Sequence, residues 1–274
     1  MTKSVNESTV SSYSERGSEA YEDPMNKNFL YGDITVKFIR QIEFAATDHT
    51  ILDMGCGTGF VFDELQSLFK DQGMEGVGVE PAVGMLDLAR KKYAGDPMYS
   101  FHEGSFETIP LADQSVDKIT STLALHWVLD LEAAAVEMHR VLKPGGSVDI
   151  LMIARDDGHN FKKQIVAAQK KHLTFAQIMR TATLVQRVNE PQVIEAFAAF
   201  HDGFKIDVSQ HRSVIFGTFD EHLKWWKARS APVIAEVVDK EQFIEDLRVE
   251  LEKINTDEGI PFDSAYLNIS IKGK

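Results

Sequence analysis

Residues 51–59 read ILDMGCGTG, and they indicate the fold of this chain. Its first four residues form a mainly apolar run, which is typical of a buried strand. Gly55, Gly57 and Gly59 follow at once. Glycines at the end of a strand let the backbone turn sharply and approach a ligand closely. The stretch therefore predicts a strand, a ligand-binding loop and a helix that begins near residue 60.

Strand-like and helix-like segments continue to alternate after this loop. Such alternation predicts an α/β fold with a doubly wound, mostly parallel sheet. The predicted strands cover residues 50–54, 76–80, 99–103, 117–121 and 147–153, and the predicted helices cover residues 61–69, 83–92 and 131–142, followed by a turn at 143–146.

The pattern changes after residue 154. The later segments predict helical cap elements and the strands that complete the sheet. They comprise one long helix over residues 160–180, a helix over 192–200, a strand over 205–216, a helical pattern over 219–254 with an interruption near Pro232, and a last strand over 265–271.

Composition narrows the functional classes. The formal net charge of −13 disfavours binding to a nucleic-acid phosphate backbone. No stretch approaches the roughly 18 apolar residues of a membrane span. The single cysteine permits no internal disulfide, and the histidines show no metal-ligand spacing. We therefore expect a cytoplasmic protein without nucleic-acid partners, membrane span or bound metal.

Of two residues near the glycine loop, Phe60 separates the possible ligands and Glu80 does not. A dinucleotide fingerprint of the form G-x-G-x-x-G needs glycine at position 60, where this chain has Phe60. Phe60 therefore argues against a dehydrogenase. Glu80 ends the second predicted strand, and a carboxylate there can accept hydrogen bonds from ribose hydroxyls.

The chain at this point resembles class I S-adenosylmethionine-dependent methyltransferases. Residues 51–59 resemble their motif I, and four further segments resemble later motifs in the family's order over about residues 45–155. The closest subgroup is the small-molecule methyltransferases that include trans-aconitate, malonyl-carrier-protein and juvenile hormone acid methyltransferases. The four segments are Glu80-Pro81 with Met85, Gly104-Ser105-Phe106 with Ile109-Pro110, Asp117 with residues 123–127, and residues 140–146.

The resemblance implies a Rossmann-like fold with a seven-stranded sheet. It also implies S-adenosyl-L-methionine as cofactor and S-adenosyl-L-homocysteine as product. The family commonly has Asp where this chain has Ser105, which still can bond the adenine amino group. The cofactor-binding residues it implies are Tyr21, Asp53, Gly55, Cys56, Gly57, Glu80, Pro81, Met85, Ser105, Phe106 and Leu123.

Four segments organise the predicted protein. Residues 1–45 form an N-terminal arm and helices that act as a lid, and residues 46–155 form the cofactor-binding core. Residues 156–203 form a helical cap insertion. Residues 204–274 complete the sheet and supply substrate-facing helices.

His126 is the candidate general base. It lies at the end of the fourth predicted strand, where ligands bind in open α/β sheets, and its ordinary pKa suits proton transfer near neutrality. A base is needed only when the acceptor is a hydroxyl, a thiol or a protonated amine, whereas a carboxylate acceptor needs none. A positioning or packing role for His126 stays open.

The acceptor pocket is predicted to draw on the arm, the cap and the late helices. Aromatic residues are frequent there, which favours a largely hydrophobic organic acceptor. One of the adjacent tryptophans of the late helix is expected in the pocket and the other in the core. The candidate substrate-binding residues are Tyr13, His126, Trp127, Trp225, Trp226 and Arg229.

These observations favour methyl transfer to a small organic acceptor, at a hydroxyl or carboxylate oxygen. Transfer to nitrogen or carbon stays open, as does an acid carried as a thioester on a carrier protein. A non-catalytic module that binds S-adenosylmethionine is a third possibility. The expected partner is a small-molecule acceptor, and the expected state is a monomer or a homodimer.

Overall fold

The computed structural model describes residues 10, 11, 14, 29–182 and 188–274. Within these residues, seven strands form one sheet. The strands are β1 (Thr50–Met54), β2 (Glu75–Glu80), β3 (Tyr99–Glu103), β4 (Val116–Thr122), β5 (Leu142–Ile153), β6 (Phe204–Gly217) and β7 (Ile260–Gly273).

The order of strands across the sheet is β3-β2-β1-β4-β5-β7-β6. The pairs β1–β2, β1–β4, β2–β3 and β4–β5 are parallel, whereas β5 and β7 are antiparallel. Chain order reverses between β1 and β4, and ligands bind at such a switch point, beyond the carboxyl ends of the strands. The predicted α/β, mostly parallel, seven-stranded sheet is confirmed.

Ten α-helices accompany the strands in the described residues. Short helices at Leu125–Trp127 and Ala198–Phe200 are of the 3-10 type. The α-helices of five or more residues from Gly32 onward are α1 (Gly32–Gln41), α2 (Phe60–Gln72), α3 (Val83–Lys92), α4 (Leu131–Val141), α5 (His159–Gln169), α6 (Phe175–Ala182), α7 (Glu190–Ala196), α8 (Phe219–Arg229), α9 (Ala231–Glu236) and α10 (Lys240–Glu252).

The chain divides into two compact units. The sheet unit comprises residues 34–154, 186–211 and 266–274, and the helical unit comprises residues 1–33, 155–185 and 212–265. Each unit consists of three separate stretches of the chain, whereas the sequence predicted four consecutive segments. The core of the sheet unit forms where apolar faces of α1 and α2 pack with the interior of the sheet.

The prediction of one long helix over residues 160–180 is wrong. Two helices, α5 and α6, occupy this region, because Thr174 and Gln177 form a new helix start. The Thr174 backbone N–H donates to Gln177 Oε1 at 2.8 Å, and Thr174 Oγ1 accepts from the Gln177 N–H at 3.4 Å. This reciprocal pair is a capping box, which satisfies backbone donors at a helix N-terminus.

One other local prediction agrees with the structure: the late helical pattern is interrupted near Pro232, since α8 ends at Arg229 and α9 begins at Ala231. The turn predicted at residues 143–146 is wrong, because these residues lie inside β5. The pairing with β4 is irregular there and jumps from Leu142 to Ser147. No helix of the described residues is long and apolar enough to cross a membrane.

Candidate active site

The glycine loop is held by hydrogen bonds to β2 and within itself. Gly55 and Cys56 both donate their backbone N–H groups to the carbonyl oxygen of Val79, at 2.8 and 3.1 Å. Gly59 donates to the carbonyl oxygen of Cys56 at 2.8 Å. These three N–H groups therefore have hydrogen-bond partners inside the protein, and a cofactor contact by Cys56 stays a prediction.

Left-handed backbone explains the glycines of the loop. Gly55 and Gly57 have φ angles of 68° and 54°, which side chains rarely adopt. A Cβ atom on Gly55 would also overlap the Cβ atom of Ala124, at the end of β4. A Cβ atom on Gly57 would contact only the Cε atom of Met85, at 3.6 Å. Gly55 is therefore required by packing, and Gly57 leaves room for a ligand.

Glu80 ties the loop to the end of β2. Its Oε2 atom accepts the Gly57 N–H and its Oε1 atom accepts the Ala82 N–H, both at 2.9 Å. Burial raises the pKa of Glu80 to about 7, although these two hydrogen bonds favour the ionised form. An ionised carboxylate has about four acceptor positions, so Glu80 can still accept hydrogen bonds from a ligand.

Asp53 is a second buried carboxylate, near Glu80. It is 1% exposed, and its Oδ1 atom accepts a hydrogen bond from Thr120 Oγ1 at 3.2 Å. Burial raises the pKa of Asp53 to about 8; the Thr120 hydrogen bond opposes this shift and the charge of Glu80 adds to it. Within the described residues, no Lys, Arg or His forms an ion pair with Asp53 or Glu80.

The electrostatics of the loop select the kind of ligand. Two buried carboxylates without a paired cation favour a ligand that brings positive charge and hydroxyl donors. A pyrophosphate needs unbonded backbone N–H groups and a positive potential. Here the N–H groups of Gly55, Cys56 and Gly57 are already bonded, and the nearest side-chain charges are negative. The site therefore suits a cationic nucleoside better than a dinucleotide.

The remaining predicted cofactor residues of the sheet unit follow β2, β3 and β4. Met85 is 5% exposed on α3, and Phe106 is 6% exposed beyond β3. Ser105 exchanges backbone hydrogen bonds with Thr108, both at 3.2 Å, in a tight turn. Leu123 has a φ angle of 53° and donates its N–H to Leu151 at 2.8 Å. Pro81 follows Glu80 directly and is half-buried.

His126 and Trp127 lie in the short helix that follows β4. His126 is 5% exposed, and its ring centroid lies 5.1 Å from that of the half-buried Trp127. The structure thus places the candidate base in the same unit as Asp53 and Glu80, beyond the carboxyl end of a strand that neighbours β1. Its catalytic role stays a prediction.

The candidate acceptor residues of α8 lie in the helical unit. Both tryptophans are buried there: Trp225 packs against Tyr31 and Phe262, with ring centroids 6.1 and 5.5 Å away, and Trp226 packs against Phe243 at 5.8 Å. The two adjacent tryptophans thus bury two different faces of α8. The side chain of Arg229, together with Tyr13 and Tyr21, lies outside the described residues.

Two residues beside the loop were not predicted from sequence. Thr120 supplies the hydrogen bond to Asp53, and Tyr93 places its hydroxyl 3.1 Å from the Gly59 carbonyl oxygen. Thr120 belongs to a predicted strand, and the alternation of side chains along that strand could have indicated that Thr120 faces Asp53. No sequence pattern indicated the position of Tyr93. No group of three or more metal-ligating side chains occurs in the described part of the chain.

Known proteins resemble this chain in sequence over part of its length. Residues 52–150 match the family described as methyltransferase domain. The malonyl-[acyl-carrier protein] O-methyltransferase of Yersinia pestis is 35% identical over 144 residues, which are 53% of this chain and 50% of that protein. The demethylmenaquinone methyltransferase of Chlorobaculum parvum is 41% identical over 108 residues, 39% of this chain and 42% of that protein. The matches thus span half or less of these relatives.

Solved structures share the fold over most of the chain. The YcgJ protein of Bacillus subtilis superposes with a TM-score of 0.61 at 18% identity, covering 88% of this chain and 99% of that one. A phosphoethanolamine N-methyltransferase 2 of Haemonchus contortus, in complex with S-adenosylhomocysteine, gives 0.57 at 16% identity, covering 94% and 60%. The predicted resemblance to class I S-adenosylmethionine-dependent methyltransferases, and S-adenosylmethionine as the cofactor of this domain, are confirmed.

Proposed function

We propose that this chain, whose residues 52–150 form a class I S-adenosylmethionine-dependent methyltransferase domain, transfers a methyl group to an oxygen atom of a small organic acceptor. One observation carries the proposal. Asp53 and Glu80 are buried beside a glycine loop whose amides are engaged internally, and no cation pairs with them in the described residues. A cationic nucleoside with free ribose hydroxyls supplies what this site lacks.

Each part of the site has a role in holding the donor. The open acceptor positions of Glu80 bind ribose hydroxyls, and the positive charge of a sulfonium ligand favours the ionised forms of Asp53 and Glu80. Gly57 allows close approach, since only Met85 stands near its missing Cβ atom. Pro81, Met85, Ser105 and Phe106 are proposed to border the adenine, as the family resemblance implies, and Leu123 is proposed to contact the cofactor beyond β4.

S-adenosylmethionine supplies a methyl group already activated by its sulfonium centre, so the protein mainly has to align the acceptor. For a hydroxyl acceptor, a ring nitrogen of His126 accepts the proton of the hydroxyl group. For a carboxylate acceptor no proton is removed, and His126 orients the substrate instead. The half-buried Trp127 beside it borders the acceptor.

A carrier-bound acid is the second candidate acceptor. The matches to malonyl-[acyl-carrier protein] O-methyltransferases favour it, at 35% identity over half of the Yersinia pestis protein. The formal charge of −13 weighs against docking an acidic carrier protein, so we place the small free acceptor first. Cytoplasmic location, the monomeric or dimeric state and the cofactor contact by Tyr21 stay predictions, as do acceptor contacts by Tyr13, Trp225, Trp226 and Arg229.

Transfer of labelled methyl tests the proposal. The protein is incubated with S-adenosylmethionine labelled on the methyl group and with pools of hydroxyl, carboxylic acid and amine acceptors, beside malonyl-acyl carrier protein. We expect an oxygen-linked product, as an alkali-labile ester or an alkali-stable ether. Transfer only to amines or to carbon, or to the carrier alone, would replace the proposed acceptor class. Donor binding without any transfer would favour a non-catalytic module.

A His126→Gln variant separates the two oxygen acceptors. With a hydroxyl acceptor we expect kcat to fall about 100-fold or more, because the proton loses its acceptor, while the Kd for S-adenosylmethionine stays within twofold. With a carboxylate acceptor the fall in kcat is less than about tenfold. Unchanged kcat with a hydroxyl acceptor would remove His126 from the mechanism.

A further inference from the structure

Tyr93 stands directly against the last glycine of the loop. It is the residue after α3 and is 8% exposed. Its hydroxyl lies 3.1 Å from the Gly59 carbonyl oxygen and 2.7 Å from Asp63 Oδ1, in the first turn of α2. A Cβ atom on Gly59 would stand 2.7 Å from the Tyr93 ring. The ring and the hydroxyl therefore both fix the position of Gly59.

A short chain of hydrogen bonds leads from Gly59 to the ligand-facing part of the loop. The Gly59 N–H donates to the Cys56 carbonyl oxygen at 2.8 Å, so Gly59 and Cys56 move together. The next residue, Gly57, donates to Glu80 Oε2 at 2.9 Å. A displacement at Gly59 therefore changes the geometry at Gly57 and at Glu80, although Tyr93 touches neither.

The surroundings of Tyr93 make its hydroxyl testable apart from its ring. Tyr93 and Tyr99 belong to one aromatic cluster, with ring centroids 4.5 Å apart, and both rings also pack against Phe62. The two tyrosines are equally exposed, at 8%. Within the described residues, the buried Tyr99 hydroxyl has no hydrogen-bond partner. Tyr99 thus matches Tyr93 in packing and lacks its contact with the loop.

We propose that Tyr93 is a positioning residue for the cofactor loop. Its hydroxyl fixes the position of Gly59. Through the hydrogen bond from Gly59 to Cys56, it also fixes the Gly57–Glu80 hydrogen bond at the site that receives the ribose. The inference rests on the proposed function for its effect on cofactor affinity. Its effect on the loop itself is independent of any ligand. The geometry of the loop and the affinity for the cofactor are therefore measured separately.

The first measurement uses the ligand-free protein. Amide resonances of Gly57 and Gly59 are followed by ¹H–¹⁵N spectroscopy in the full chain and in the variants Tyr93→Phe and Tyr99→Phe. We expect Tyr93→Phe to shift both amides, and Tyr99→Phe to leave both in place. Unmoved Gly57 and Gly59 amides in Tyr93→Phe would overturn the proposal, as would equal shifts in the two variants.

The second measurement is the Kd for S-adenosylhomocysteine, by calorimetry at a temperature where all three proteins are folded. We expect Tyr93→Phe to weaken binding about five- to twentyfold, as for the loss of one positioned hydrogen bond, and Tyr99→Phe to stay within twofold. A purely structural role would lower the melting temperature without changing this Kd, and that result overturns the proposal. If the unaltered protein itself does not bind, the proposed function fails, while the amide shifts still decide the role of Tyr93.

Discussion

Buried carboxylates occur in both units of the molecule, and they have opposite surroundings. In the helical unit, Asp157 is 2% exposed and contacts three donors: the Tyr31 hydroxyl, the Lys162 ammonium at 2.7 Å and the Ala265 N–H at 3.1 Å. In the sheet unit, Asp53 and Glu80 are buried to a similar degree and have no ion-pair partner in the described residues. The fold compensates the first carboxylate, whereas in the proposed function the cofactor compensates the other two.

The surroundings of a buried carboxylate indicate whether it stabilises the fold or serves a ligand. A buried charge that is paired and hydrogen-bonded serves the fold, since removing one partner exposes the other to an apolar interior. A buried charge without a cation destabilises the empty protein, because burial disfavours ionisation. It persists where a ligand supplies the missing partner. The same residue type thus stabilises one unit and marks the binding site of the other.

The largest expected effect is the loss of Asp157. In Asp157→Asn an amide N–H₂ replaces the carboxylate oxygen that faces Lys162, so the ammonium loses this buried ion pair. We expect the free energy of unfolding to fall by about 2–4 kcal/mol, measured by urea denaturation. The matched control is Asp207→Asn, in an exposed pair with Lys205, for which we expect less than about 0.5 kcal/mol. Equal effects in the two variants would remove the contrast.

Asp53→Asn is expected to change stability in the opposite direction. The pKa of Asp53 is about 8 in the folded protein against an ordinary 3.8, so the folded state holds a proton that the unfolded state releases. The free energy of unfolding therefore falls as pH rises from about 4 to about 8. At pH 8 we expect the variant to gain about 1–3 kcal/mol, and the gain to vanish below about pH 4. A loss of stability at pH 8 would contradict this account of Asp53.

A smaller effect is expected on ligand affinity as a function of pH. The pKa of Glu80 is about 7, and only the ionised carboxylate offers all its acceptor positions to ribose hydroxyls. Binding thus releases a proton, and affinity falls as pH drops. We expect the Kd for S-adenosylhomocysteine to rise about tenfold from pH 8 to pH 6, by calorimetry in buffers of different ionisation enthalpy. Affinity independent of pH over this range would show that Glu80 keeps one charge state throughout.

Sequence predicted the parts of this protein that depend on local pattern. The strand before Gly55, the glycine loop and Glu80 at the end of β2 all lie where they were expected. Each follows from a local rule: an apolar run forms a buried strand, glycines mark left-handed backbone, and parallel strands end on one edge. The match of residues 52–150 to the methyltransferase domain confirms the family they suggested.

The remainder depends on contacts between residues far apart in sequence. Asp157 meets Tyr31 and Ala265, which are 126 and 108 positions away, and no periodicity announces such a meeting. The burial of both Trp225 and Trp226 follows from neighbours on two sides of α8. The break between α5 and α6 was different: its capping box, Thr174 to Gln177, is visible in the sequence and was outweighed by the helical period.

The proposed function requires that the loop beside Asp53 and Glu80 binds S-adenosylmethionine. Isothermal titration calorimetry with S-adenosylmethionine, S-adenosylhomocysteine and NAD, on the unaltered protein and on Glu80→Ala, measures this binding. We expect micromolar or tighter binding of both adenosyl ligands, no binding of NAD, and a loss of about 1–3 kcal/mol in Glu80→Ala. Binding of NAD in place of the adenosyl ligands, or no adenosyl binding by the folded protein, would contradict the proposed function.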